Sequence, residues 1–157
     1  VVVSTREPAA LRERCLDIGA SQISAGSKTD PGGYSEGVRR HESEQFEVDD
    51  TRPIEEMVRV ILRRGYIPSL CTSCYRLHRT GDTFTGMALE GRIKDFCLPN
   101  ALLTLAEYAV GSADPALRDQ CLAAVEEVRK DLDDSALRPE FDRKLSLVLS
   151  GGKDLYF

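Results

Sequence analysis

Within its first 25 residues the chain runs from a β-branched stretch through a helical one into a second short extended stretch, and that order restricts the fold more than any other feature. Val1-Val2-Val3-Ser4-Thr5 reads as a buried strand, because strands covered on both faces are continuously apolar and rich in β-branched residues. Glu7-Pro8 opens a helix with proline in its first turn; Leu11, Cys15 and Ile18 share one face, and Gly19 is the stop. Ser21-Gln22-Ile23-Ser24-Ala25 is the second strand. Strands joined by a helical crossover run parallel, which predicts an α/β fold.

The stretch from Gly26 to Asp50 carries Gly26, Pro31, Gly32, Gly33 and Gly37 among polar residues and reads as a long loop of the kind that serves function. Thr51-Arg52-Pro53 starts another helix, with Ile54, Met57, Val58, Ile61 and Leu62 at helical spacing up to Gly65, and Tyr66-Ile67-Pro68-Ser69-Leu70 is a third extended segment. Residues 1–70 therefore read as the last βα units of an α/β barrel or sheet, too few to close one. The opening on Val1, with no Met and no leading turn, marks the chain as a piece of something longer. Residues 71–157 change character, to a loop region rich in cysteine and arginine and then, from Pro99, to helices. Their apolar faces are Ala101, Leu102, Leu105 and Ala106; Leu117, Cys121, Val125, Val128 and Leu132; and Leu137, Phe141, Leu145 and Val148, ended by Gly151-Gly152.

Composition narrows the function classes. With 157 residues, 41% of them hydrophobic, a modest core is affordable and disorder is excluded as a description of the whole chain. Apolar runs are short, such as Val60-Ile61-Leu62, against the roughly 18 residues of a membrane-spanning helix. Twenty-six acidic against 21 basic residues, a net charge of −5, argue against a nucleic-acid binder. Five cysteines is an odd number and no signal peptide precedes them, which points to a reducing, cytoplasmic setting.

Chemistry concentrates at Cys71-Thr72-Ser73-Cys74, followed by Cys97 after 22 intervening residues. The C-x2-C pair closes a short chelate loop and a return of the chain brings a third thiol. A redox pair of the thioredoxin kind has no need of Cys97. Structural zinc wants four ligands and would borrow His78. An iron–sulfur cluster held by three thiolates leaves one iron without a protein thiolate, open to substrate or to another metal fragment. Arg76, His78, Arg79, Arg92 and Lys94 crowd this stretch and as a group favour an anionic site, against a plain solvated basic surface. Cys15 and Cys121 sit in register with apolar neighbours and read as small core residues; His41, in Arg39-Arg40-His41-Glu42, reads as solvent-facing. Ser4-Thr5-Arg6-Glu7-Pro8 lies where a parallel strand ends, the rim that builds active sites in α/β barrels. Arg6 there suits a bidentate clamp on a substrate carboxylate, or a salt bridge to Glu7. Gln22 and Ser24 share a strand face and suit a cavity wall.

Several stretches agree in order and spacing with one family. Ser4-Thr5-Arg6-Glu7, the run from Gln22 to Ser27 with Pro31-Gly32-Gly33-Tyr34, Gly65-Tyr66-Ile67-Pro68-Ser69, the C-x2-C-x22-C spacing with Cys74-Tyr75-Arg76 and Arg79-Thr80-Gly81, and Leu98-Pro99-Asn100-Ala101 are among them. Together, and through to Asp154-Leu155-Tyr156-Phe157, they resemble the C-terminal part of the tyrosine-cleaving radical SAM lyases. That family includes the FeFe-hydrogenase maturases and the 2-iminoacetate synthases of thiamine synthesis. The resemblance implies the C-terminal βα units of a radical SAM (βα)8 barrel, followed by an α-rich domain carrying an auxiliary iron–sulfur cluster. It implies an adenosyl radical, made from S-adenosylmethionine at an N-terminal 4Fe–4S cluster, that splits tyrosine into p-cresol and dehydroglycine. In the maturases the latter becomes CO and cyanide at a second 4Fe–4S cluster with an additional iron, the cluster that Cys71, Cys74 and Cys97 would hold. Arg6 would resemble the residue anchoring the tyrosine carboxylate. The implied partners are tyrosine-derived small molecules, iron and cysteine, and other hydrogenase maturation proteins. The chain departs from the family in lacking a C-x3-C-x2-C motif, so alone it cannot generate the radical, and in carrying His78 where relatives have a small residue, often Gly. The alternatives are a thiamine-type synthase that releases dehydroglycine intact, and a zinc-stabilised structural module.

Overall fold

The computed structural model describes residues 2–31, 33–34, 46–132 and 137–157, the side chain of Lys94 excepted. Val1, Gly32, Gly37, the 39–42 segment with His41, and the Lys94 side chain, all invoked above, lie outside the described residues. The chain divides into two compact units, Val1–Val60 and Ile61–Phe157. Among the described residues most are helical, with one small parallel sheet.

In the first unit, β1 (Val2–Val3) pairs in parallel with β2 (Gln22–Ile23), Val2 opposite Gln22 and Val3 opposite Ile23, as the crossover order requires. Both strands are shorter than the extended stretches 1–5 and 21–25 predict. Helix α1 (Ala9–Asp17) joins them, entering through Pro8 and leaving through Gly19. Its orientation corrects the expected apolar face. Leu11 and Ile18 are exposed and Cys15 is only half-buried, whereas Arg12 is completely buried. The physical reason is a polar hub. The Arg12 guanidinium donates to the Asp50 carboxylate and to the Ser24 carbonyl, so the helix turns its arginine inward. Asp50 also accepts from Arg52 Nε at 2.9 Å and Nη2 at 2.6 Å, and Arg52 reaches Glu13 at 2.6 Å. The Asp49 and Asp50 amides both donate to the Thr5 carbonyl, at 3.1 and 3.0 Å. The ends of both strands are thereby tied to one buried carboxylate. Helix α2 (Ile54–Arg63) starts after Pro53 and buries Met57, Val58 and Val60, while Ile54 stays exposed.

The second unit corrects two further expectations. Tyr66–Leu70 is irregular rather than paired, and the cysteine–arginine segment is not loop alone but contains α3 (Ser73–Arg76) and α4 (Asp82–Leu89). Helix α5 (Lys94–Gly111) begins before Pro99, not at it. Proline five residues into a helix removes only the amide that would reach back to the Asp95 carbonyl, a loss tolerable near a terminus. Helix α6 (Pro115–Val128) is capped by Asp114, whose carboxylate accepts the Leu117 amide at 3.1 Å; α7 (Leu137–Leu149) follows. The periodic faces close as predicted: α5 packs on α6 and α7, burying Leu102, Leu105, Ala106 and Ala109 with Leu117, Cys121, Val125, Phe141, Leu145 and Val148. Cys121 is a core residue, as its register requires. No helix among the described residues is long and apolar enough to cross a membrane.

Candidate metal centre

Cys71 and Cys74 lie where an irregular stretch enters the single turn of α3, and the way that turn ends shapes the site. The His78 amide donates to the Tyr75 carbonyl at 3.4 Å and the Arg79 amide to the Cys74 carbonyl at 2.8 Å, the two bonds of a Schellman ending. Such an ending needs a left-handed residue at its pivot, and His78 supplies it at φ 55°. The chain reverses there and Arg79 folds back. Its Nη2 donates to Ser73 Oγ at 3.2 Å, and its guanidinium lies 4.2 Å from the centre of the Phe96 ring. Cys97 follows Phe96 in the first turn of α5.

The three candidate thiols are electrostatic neighbours. Burial pushes the Cys97 thiol above its ordinary range even though the residue as a whole is exposed; the charges of Cys74 and Cys71 add to the shift, and Arg79 opposes it. They are not drawn into a closed ligand shell. Among the described residues no three His, Cys, Asp or Glu side chains are positioned to hold a metal ion as they stand. His78, the fourth ligand of a zinc reading, is exposed at the turn's pivot.

A buried polar core supports the cysteine loop. Ser73 and Asn100 are 2% and 1% exposed. Ser73 Oγ stands 3.2 Å from Cys71 Sγ and the Ser73 amide donates to the same sulfur at 3.4 Å. Asn100 Nδ2 donates to Ser73 Oγ at 3.0 Å. Asn100 also holds the main chain of Phe157 from both sides, accepting its amide at 2.7 Å and donating to its oxygen at 3.2 Å, an oxygen that Arg79 Nη2 reaches at 2.7 Å. Arg76 pairs with Asp154 at 3.0 Å and Lys144 donates to the Tyr156 carbonyl at 2.8 Å, so residues 154–157 are fastened along this face. A cavity of about 490 Å³ adjoins it, with Cys71, Arg76, Thr104, Tyr108, Val148 and Tyr156 in its wall.

The substrate-side candidates belong to the first unit. Ser4 Oγ accepts the Arg6 amide at 3.3 Å, and the Arg6 guanidinium stacks 3.9 Å from the centre of the Phe46 ring. Gln22 is exposed in β2; Ser24, just beyond it, donates its amide to the Val3 carbonyl at 3.0 Å and gives its own carbonyl to Arg12. Ser4 and Ser24 thus sit at the C-terminal ends of the parallel strands, while Gln22 sits within the ladder. Sequence reasoning passed over Arg12, Asp50, Ser73 and Asn100. An arginine on a helix and a serine inside C-x2-C carry no periodic signal, although Asn100 lies inside one of the stretches that carry the family resemblance.

Residues 1–67 match the Biotin and Thiamin Synthesis associated domain. Across both units the chain is similar to HydG, a maturase of the [FeFe]-hydrogenase, at 42% identity with a TM-score of 0.89 over 99% of this chain and 33% of that one. A second structure, the FeFe-hydrogenase maturase HydG from Carboxydothermus hydrogenoformans, matches at 33% identity and a TM-score of 0.64, over 94% of this chain and 29% of that one. No curated protein matches. The first 67 residues thus carry a domain type named for biotin and thiamin synthesis. The chain is a relative of the hydrogenase maturase HydG and spans about a third of the length of the HydG structures it matches.

The side chains at the Cys71 loop suit an iron–sulfur cluster. Cys97 in electrostatic range of Cys71 and Cys74 offers a soft donor set of the type such clusters use. Arg79 brings a cation, and its Nε is buried without a hydrogen-bond partner among the described residues. An anionic group beside the thiols would match that donor.

Proposed function

We propose that this chain is the auxiliary-cluster portion of a radical SAM tyrosine lyase that furnishes CO and cyanide for hydrogenase assembly, with Cys71, Cys74 and Cys97 holding a 4Fe–4S cluster. The observation that supports this most directly is that Cys97 lies in electrostatic range of Cys71, Cys74 and Arg79 in a chain 42% identical to HydG. When bound, such a cluster supplies an iron free of protein thiolate, able to take a further iron or a small ligand. Arg79 offsets thiolate charge beside Cys97, and Ser73 and Asn100 keep the loop rigid. In the first unit Arg6 leaves the Phe46 face to clamp the carboxylate of tyrosine, with Ser4, Gln22 and Ser24 beside it. On this reading β1, α1 and β2 are closing units of a radical SAM barrel, and S-adenosylmethionine with its own cluster belongs to the longer parent. The setting is the cytoplasm and the partners are other hydrogenase maturation proteins.

The test is anaerobic reconstitution with iron and sulfide, followed by iron quantitation and electron paramagnetic resonance, on the chain and on Cys97→Ala. About four irons per chain, lost in the variant, is the expected result. Tightly held zinc with no cluster overturns it in favour of a structural module. The match of residues 1–67 to a thiamin-synthesis-associated domain favours one second reading, a thiamine-type synthase. Product analysis of the full-length parent separates the two. In a maturase, Cys71→Ala spares p-cresol formation and abolishes CO release, whereas a thiamine-type enzyme releases no CO at all.

A further inference from the structure

The partners of Ser73 Oγ behind the Cys71 loop fix where its hydroxyl proton goes. The Phe157 amide can only donate, so the Asn100 atom that receives it is Oδ1, and the amide group has one orientation. Asn100 Nδ2 therefore faces Ser73 Oγ and the Phe157 oxygen with its two hydrogens. Arg79 Nη2 is likewise a pure donor to Ser73 Oγ. A serine hydroxyl has two acceptor lone pairs and one hydrogen. Asn100 and Arg79 occupy both lone pairs. The remaining neighbour is Cys71 Sγ at 3.2 Å.

We propose that the Ser73 hydroxyl donates its proton to Cys71 Sγ, and that Asn100, locked by the main chain of Phe157, is the positioning residue that enforces this direction. The sulfur then receives two hydrogen bonds, from the hydroxyl and from the Ser73 amide. Among the described residues the Cys74 and Cys97 sulfurs receive none, so Cys71 becomes the least electron-rich of the three thiols. Hydrogen bonds to cluster sulfurs favour the reduced, more negative state and raise the reduction potential. The 154–157 segment is in this way a remote support of the cluster's electronics, acting through Asn100 and Ser73 rather than by contact with the metal. This second part rests on the cluster reading above; the hydroxyl direction does not.

The experiment has two arms on the full 157-residue chain. The first needs no metal. Nuclear magnetic resonance of the iron-free, reduced chain should show a slowly exchanging Ser73 hydroxyl proton with a through-space contact to the Cys71 β-protons. Loss of that contact is expected in Asn100→Asp, whose carboxylate accepts the hydroxyl instead. A hydroxyl proton directed elsewhere in the wild-type chain overturns the proposal whether or not a cluster binds. The second arm reconstitutes the cluster and measures its reduction potential. Ser73→Ala and Asn100→Asp should keep their iron while the one-electron equilibrium shifts about tenfold toward the oxidised state, roughly 59 mV downward. Ser73→Thr, which keeps the hydroxyl, should stay near wild type. Iron retained with an unchanged potential in both variants overturns the electronic role, and failure of the wild-type chain to take up iron overturns the cluster reading alone. If Ser73→Ala fails to fold, Asn100→Asp and Ser73→Thr decide the matter between them.

Discussion

Among the described residues the largest fully buried side chain in Val1–Val60 is Arg12, and in Ile61–Phe157 it is Phe141. The first unit collects its elements around a carboxylate, with Asp50 joined to Arg12 and Arg52 while Arg12 and the Asp50 amide reach the ends of both strands. The second collects its elements around hydrocarbon, with Phe141, Leu145 and Val148 of α7 against Leu102 and Leu105 of α5. Hydrocarbon contacts are non-directional and fail by degrees as atoms are removed. A buried ion pair fails at once, because the surviving partner is left charged and dry. The first unit should therefore be brittle to single polar substitutions and forgiving of paired ones.

Arg12→Ala stands with Phe141→Ala as the largest expected effect, a loss of about 3–5 kcal/mol from emptying a completely buried site, taking the donor from the Ser24 carbonyl and leaving Asp50 with Arg52 alone. Urea unfolding, read by hydrogen exchange at the Thr5–Ser24 and Asp49–Asp50 amides, checks it. The paired change Arg12→Met with Asp50→Leu should recover part of that loss, since apolar isosteres of a buried pair are often neutral and Arg52 keeps Glu13. A double variant as unstable as the single one breaks the comparison. Phe141→Ala should cost about 3–5 kcal/mol as well, with Phe141→Leu intermediate, and exchange should rise in α5, α6 and α7. A loss of the whole amount already at leucine means that the second unit is not graded either.

Acid sharpens the contrast. Hydrogen bonds from Arg52, then Arg12, bring the Asp50 pKa from 3.8 down to about 2. A carboxylate depressed in the folded state stabilises fully above its unfolded pKa and loses that contribution as pH falls through the folded value. Near 1.4 kcal/mol per unit, this is about 2 kcal/mol lost between pH 4 and pH 2. Urea midpoints over that range should fall for the first unit and flatten in Asp50→Asn. Glu140 is also lowered to about 2, by Arg143 and then Lys144, but on the surface of α7. Added salt should erase its share of the pH dependence and leave that of Asp50 intact. Equal salt sensitivity would mean that the Asp50 hub is wetter than its 2% exposure says.

The same physics explains what could be read from the letters. Leu117, Cys121 and Val125, and Phe141, Leu145 and Val148, repeat at helical spacing and sit in the core, because one-sided burial and the 3.6-residue period agree. The parallel pairing of β1 with β2 followed from the helix between them. Leu11 and Ile18 misled, because the face of α1 was chosen by a hydrogen-bonded arginine that no hydropathy pattern announces. Helices α3 and α4 were invisible for another reason: one is four residues long and the other has no buried residue, so neither carries a stripe. At the candidate centre the cysteine spacing was legible, being local. The Ser73, Asn100 and Phe157 network was not, since it joins residues 27 and 57 positions apart that only the fold brings together.

The smallest expected effect is a gain, and it lies in the turn that carries the cysteine pair. Helices α1, α2, α4 and α7 reverse at Gly19, Gly65, Gly91 and Gly151, all at positive φ, whereas α3 reverses at His78, φ 55°. A β-carbon in that conformation costs about 1–2 kcal/mol, and glycine gives back roughly 0.5–1 kcal/mol through the greater freedom of its unfolded chain. His78→Gly should therefore stabilise by about 0.5–1 kcal/mol, visible as a higher urea midpoint. His78→Ala keeps the β-carbon and should gain nothing. Equal gains in both variants would locate the cost in the imidazole rather than in the backbone. The expected pattern instead puts strain in the second unit at its cysteine turn, away from the Phe141 core, where the polar network behind Ser73 holds the turn closed.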